Sequence, residues 1–339
     1  MDIYRKKKGK NFVYMKKGSK ITNEKVLEFI RKLVIPPAWI NVMISSNKND
    51  KVLCVGEDAK GRKQYKYNPK FIEEQTNNKY YNRLIKFGEI VNTIRNNVFK
   101  ILRTRKWTLE KTVAFIIYII DSCSLRVGNE KYKDENCSYG ITTLEKRHID
   151  IKTTSVYFNF VGKKSVDNSC KFTDSFMIRL FHSMNSEFKP KETDSFFKYY
   201  GQHDKVYGIN SSHINEFLKK YGDISAKDFR TWAANIYIIK YLYNCVKNLE
   251  ESNKIEDISE RNCTMVVNKC LDLVSEKLNN TRAICKKSYI CNDIFEDFKQ
   301  DPMDFYNKIK KYGSKKSDYN SGLETILLKL LNEYKKNNK

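Results

Sequence analysis

Four short stretches hold residues able to bind or attack an anionic group. In DSCSLRVGNEKY (121–132) a lone arginine, Arg126, follows an apolar run and is followed two residues later by Gly128. In FNFVGKKS (158–165) Lys163 stands where a strand leaves for a tight turn, and in AKDFRTWAAN (226–235) Lys227 and Arg230 share one helical turn. In LNNTRAICKKSYI (278–290) Tyr289 ends a polar, basic stretch. Each has an ordinary explanation as well. An arginine followed by glycine can cap a helix C-terminus, and a lysine in a turn is normally solvated. Two cations three residues apart repel unless an anion lies beside them. Any one of 22 tyrosines belongs by default to core or surface.

Bulk composition favours the chemical reading. The chain has 339 residues, enough for a sizeable core and two domains. Its 64 Lys and Arg against 40 Asp and Glu give a formal charge of +24, spread along the length, so a polyanion such as nucleic acid is the expected partner. Nine cysteines show no CxxC pair and no metal-like spacing. With no signal peptide in MDIYRKKKGK, they are expected to be reduced thiols in an intracellular protein. The longest apolar run, VAFIIYII (113–120), is too short to span a bilayer and fits a buried helix.

The elements that must position these residues change character along the chain. NFVYMKKG, AWINVMIS, KVLCVGED and RKQYKYN are short, partly alternating and rich in β-formers, with one helix, TNEKVLEFIRKL (22–33), among them. From about Lys79 the period becomes helical, and TLEKTVAFIIYIIDSCS has Thr108 as a plausible cap. EEQTNNK, near Gln75, is the best linker candidate. One β island, HIDIK, VYFNFVG and SCKFT, interrupts the helices. The tail combines a lysine-rich linker from Ser314 with a helical GLETILLKLLNEY. The expected architecture is α+β: a small β-rich N-terminal domain (1–75), then a larger, mainly helical domain (76–339) with a small antiparallel β-hairpin or sheet.

Taken in order, an arginine, a hairpin lysine, K-D-x-R-T-W and S-x-Y resemble the type IB DNA topoisomerases, in the compact form of poxviruses and mimivirus. IPPAWINVMI (35–44) and VGEDAKGRKQYKYNPKF (55–71) extend the similarity over nearly the whole chain. The resemblance implies a monomer that clamps supercoiled duplex DNA, cuts one strand through a 3′-phosphotyrosyl bond and reseals it. Tyr289 would be the nucleophile, Arg126 and Arg230 would hold the phosphate oxygens, and Lys163 would protonate the leaving 5′ oxygen. Cations in place of a carboxylate cluster imply a reaction without metal, and a phosphotyrosyl ester comparable in energy to the phosphodiester implies resealing without ATP. DNA contacts would come from Gln64, Tyr65 and Tyr67, from Lys60, Arg62 and Lys63, and from Lys131 and Tyr132. The place of action would be the virion or the viral replication site, with no membrane involved.

One position departs from the family, which usually has a histidine nine residues before the tyrosine. Here Asn280 stands there, able to donate a neutral hydrogen bond and unable to carry charge. Two alternatives remain open: a tyrosine recombinase, which normally has histidine where Lys227 begins the K-x-x-R box, and a non-enzymatic DNA-binding or packaging protein.

Overall fold

The computed structural model describes residues 1–9, 11–163, 165–252, 260–313 and 319–337, without the side chains of 70–80, 131, 132, 136, 260, 261 and 319–321. The chain forms two compact units, Met1–Tyr80 and Tyr81–Lys339.

The first unit is built on strands β1 (Ile3–Lys8), β2 (Asn11–Lys16), β3 (Ser19–Lys20), β4 (Ile40–Ile44), β5 (Val52–Glu57) and β6 (Lys63–Tyr67), with helix α1 (Glu24–Lys32) between β3 and β4. They make one antiparallel sheet in the order β3-β2-β1-β4-β5-β6. Asn23 caps α1, its side chain accepting from the Lys25 and Val26 amides. Period-2 alternation gives the sheet a buried side, where Ile3, Val42, Ile44 and Cys54 pack with Ile30 of α1. Along β6 the same alternation exposes Lys63, Tyr65 and Tyr67 and turns Gln64 and Lys66 the other way.

Helix α2 (Pro69–Leu102) begins in the first unit and continues into the second, and within it the segment expected as a linker near Gln75 is continuous helix. Next come α3 (Leu109–Cys123) and α4 (Glu130–Asn136), then the three-stranded sheet β7 (Ile149–Ile151), β8 (Val156–Gly162) and β9 (Val166–Phe172), paired in that order. Thr108 caps α3 as expected, accepting from the Lys111 amide, and Val113 to Ile117 of that helix are buried without a break. Helix α5 (Ser175–Phe188), a small hairpin of β10 (Lys198–Tyr200) and β11 (Val206–Gly208), and α6 (Ser211–Lys219) lead to the long α7 (Ala226–Glu251). Helices α8 (Glu260–Lys277), α9 (Arg282–Ser288), α10 (Asn292–Gln300), α11 (Pro302–Tyr312) and α12 (Tyr319–Asn337) complete the chain. The helical tail is therefore present, whereas the lysine-rich linker at 314–318 lies outside the described residues. Among the described residues no helix is long and apolar enough to cross a membrane.

One expectation is overturned. Cys123, at the end of α3, and Cys170, on β9, are joined as a disulfide, so the cysteines are not all free thiols. Their Cα atoms are 6.0 Å apart, within the range that a disulfide spans without backbone movement. A separation of 47 residues matches no short motif, which is why spacing alone missed it.

Candidate active site

Arg230 follows directly on the first turn of α7, and that turn is held from two directions. The Asp228 carboxylate accepts from the Ser225 amide at 2.6 Å, closing the helix start, and forms a two-toothed ion pair with Arg83 at 2.6 and 2.7 Å. Phe229 and Trp232 pack on Phe87, with ring centroids 4.9 and 6.0 Å apart. Arg230 is only 3% exposed. It donates to the carbonyls of Ser124, just after α3, and Leu278, just after α8.

Arg126 does not cap α3. Its guanidinium donates to the Asn279 carbonyl at 3.0 Å and to the Asn280 side-chain oxygen. Gly128 is needed for close approach: a Cβ there would fall 2.4 Å from the Thr143 hydroxyl, and one at Gly140 would fall 2.6 Å from the Gly128 nitrogen. The Arg126 carbonyl accepts from the Ile141 amide at 2.9 Å, and the Thr142 hydroxyl bridges the Gly128 backbone at 3.1 Å on both sides. Two loops are thereby locked together and the arginine is aimed away from them.

Tyr289 ends α9 and is 8% exposed. The Arg230 guanidinium carbon is 5.3 Å and the Lys227 ammonium 5.5 Å from its ring centroid. Burial by itself would raise the phenol pKa. The charges of Arg230, Arg126 and Lys227, with a hydrogen bond from Arg230, outweigh it, and the phenol lies below the ordinary tyrosine value. Burial pulls the Arg230 pKa down from its usual value, and Arg126 adds to that, while Tyr289 opposes both.

The same cluster contains buried donors with no partner among the described residues: Nη1 of Arg126, Nε of Arg230 and Nδ2 of Asn280. Because Arg126 takes the Asn280 oxygen as acceptor, the amide nitrogen is left to donate. A buried unpaired donor costs about 1–3 kcal/mol, more when charged, so a cluster of three marks a place prepared for an anion.

Four of the five expected catalytic residues are thus brought together: Arg126, Arg230, Asn280 and Tyr289. Lys163 is carried on the exposed turn between β8 and β9. That hairpin is tied to the site by the Asn279 side chain, which donates to Asn168 of β9 at 2.9 Å. Sequence reasoning missed Asn235. This residue, 0% exposed on α7, donates to the Tyr289 carbonyl at 2.8 Å and accepts from the Cys291 amide at 2.8 Å. It lies in the quoted stretch AKDFRTWAAN, five residues after Arg230, but only the fold reveals what it holds.

In the first unit, Tyr65 and Tyr67 are exposed at 46% and 44%, their ring centroids 6.0 Å apart. Gln64 instead donates to Asp58 at 2.9 Å, and Arg62 pairs with the same carboxylate at 2.7 Å. Lys60 and Lys63 are exposed. The side chains of Lys131 and Tyr132 lie outside the described residues.

Residues 68–316 match the family described as eukaryotic DNA topoisomerase I, catalytic core, and residues 11–58 match bacterial DNA topoisomerase IB, N-terminal domain. The chain belongs to the type IB DNA topoisomerase family, enzymes of the isomerase class that act on DNA. It is 28% identical to DNA topoisomerase 1B of Acanthamoeba polyphaga mimivirus over 342 residues, which cover 98% of this chain and 95% of the relative. DNA topoisomerase 1B of vaccinia virus (strain Copenhagen) is 25% identical over 278 residues, or 79% of this chain and 81% of the relative. DNA topoisomerase 1 of rabbit fibroma virus is also 25% identical, over 79% of this chain and 80% of its own.

Proposed function

We propose that the enzyme relaxes supercoiled duplex DNA by reversible transesterification at Tyr289. The phenolate oxygen attacks a backbone phosphorus, a phosphotyrosyl bond forms to the 3′ side, and the bond to the 5′ oxygen breaks. Lys163 gives that oxygen its proton, and the reverse steps reseal the strand after the duplex has rotated. Because one phosphoester replaces another of similar energy, the cycle needs no ATP. The observation that carries this reading is the trio of buried unpaired donors on Arg126, Arg230 and Asn280 beside a tyrosine of lowered pKa. Charge building on the non-bridging oxygens of a five-coordinate phosphorus would be met by two guanidiniums and one amide. Since those donors supply the charge complement, the reaction calls for no divalent ion.

The first unit would contribute Tyr65, Tyr67, Lys60 and Lys63 to the DNA, with Arg62 and Gln64 available once they exchange Asp58 for the nucleic acid. Lys131 and Tyr132 belong to the same proposal. The enzyme acts as a monomer, inside the infected cell or the virion, in keeping with the viral relatives. Plasmid relaxation in EDTA without ATP tests the whole. Full-length protein relaxes the plasmid and Tyr289→Phe does not; failure of both despite tight DNA binding would leave a DNA-binding protein in place of an enzyme.

A further inference from the structure

The disulfide connects the two segments that the proposed chemistry must bring together. Cys123 is three residues before Arg126 and one before Ser124, whose carbonyl receives Arg230. Cys170 lies on β9 between Asn168, which is bonded to Asn279, and Phe172, which is buried in the aromatic core. All three point to the inner side of the strand, following its period of two. Cys170 pairs across the ladder with Phe158, and four paired positions further on, at Gly162 and Val166, the hairpin turns and presents Lys163. That is roughly 13 Å at about 3.3 Å per residue, close enough for an anchor at Cys170 to limit where the lysine goes. Both cysteines are partly exposed, hence open to small thiols.

We propose that Cys123 and Cys170 form a thiol–disulfide site that sets the placement of the Lys163 hairpin and so the rate of strand cleavage; this rests on the transesterification reading. The exchange is balanced by a low-molecular-weight disulfide such as oxidised glutathione. The protein pair gives up two electrons and two protons, which end on two molecules of reduced glutathione. With the bond closed, β9 is fastened to the segment that positions both arginines. With it open, the hairpin keeps its hydrogen bonds at Asn168 and at Val161, whose carbonyl accepts from the Tyr139 amide at 2.9 Å, and the lysine samples a wider range. Fewer of those positions are productive, so cleavage slows.

The test equilibrates the full chain in oxidised or reduced glutathione. One portion is alkylated, digested and searched by mass spectrometry for the Cys123–Cys170 peptide. The other is given duplex DNA in excess, and single-turnover covalent attachment is timed. The expected results are the cross-linked peptide in oxidised buffer only, and attachment slowed by roughly 3- to 10-fold on reduction. The double variant C123S/C170S should show the slow rate in both buffers. No cross-linked peptide, equal rates for the wild type, or a double variant that still responds to the buffer would overturn the proposal. No attachment in either buffer, with the peptide present, would overturn the transesterification reading and the functional half of this proposal with it.

Discussion

The surroundings of Tyr289, the proposed nucleophile, favour its ionisation. Burial disfavours its anion, and three cations favour it more, leaving the phenol below its ordinary value. A lowered pKa means more phenolate at any pH beneath about 10, where a free tyrosine is protonated. The limb of the cleavage rate that rises with pH through this ionisation is therefore expected below pH 10. Lys227 is exposed and makes one of the smaller contributions, so Lys227→Gln can be measured without emptying the pocket. Removing a positive charge should move the limb to higher pH, read from single-turnover rates between pH 6 and 10. A shift to lower pH would contradict the electrostatic account. Asn280 illustrates a different point. Its side-chain oxygen is committed to Arg126 and its amide carries no charge, so in the proposed mechanism its part would be geometric and independent of pH across the neutral range.

At the scale of elements, α7 organises the site twice. Its first turn, fixed by Asp228 and Arg83, aims Arg230, and Asn235 further along holds the peptide groups on either side of Ile290. Asn235→Ala would leave a buried carbonyl and a buried amide unpaired. We expect covalent attachment to slow by up to about 100-fold, as for a misplacement near 1 Å, with DNA affinity within roughly twofold of wild type. A parallel loss of affinity and rate would indicate general unfolding in place of misplacement. These arrangements were only partly legible in the sequence. The KDFRTW stretch pointed to α7 through its residue types and three-residue spacing, and α3 was legible because its apolar run is long and unbroken. Strand β1, IYRKKK, was hidden because lysines fill its outer positions and mask the alternation. Gln75 reads as a linker because polar residues dominate around it, yet Gln and Lys are good helix formers and Asn is tolerated inside a long helix. Asn235 and the Cys123–Cys170 pair depend on contacts 54 and 47 residues apart, which no local pattern encodes.

For the whole molecule, a charge of +24 and a family match extending from residue 68 to 316 describe a DNA topoisomerase with a surface suited to a polyanion. In the proposed reaction one oxygen, on Tyr289, becomes bonded to phosphorus. Incubating the full-length enzyme with end-labelled duplex DNA in EDTA, quenching with denaturant and digesting the adduct identifies the residue and the DNA end together. The prediction is a single phosphotyrosyl peptide containing Tyr289 and attached to the 3′ side of the break, absent in Tyr289→Phe. An adduct on another residue, attachment to the 5′ side, or cleavage with no adduct would contradict it.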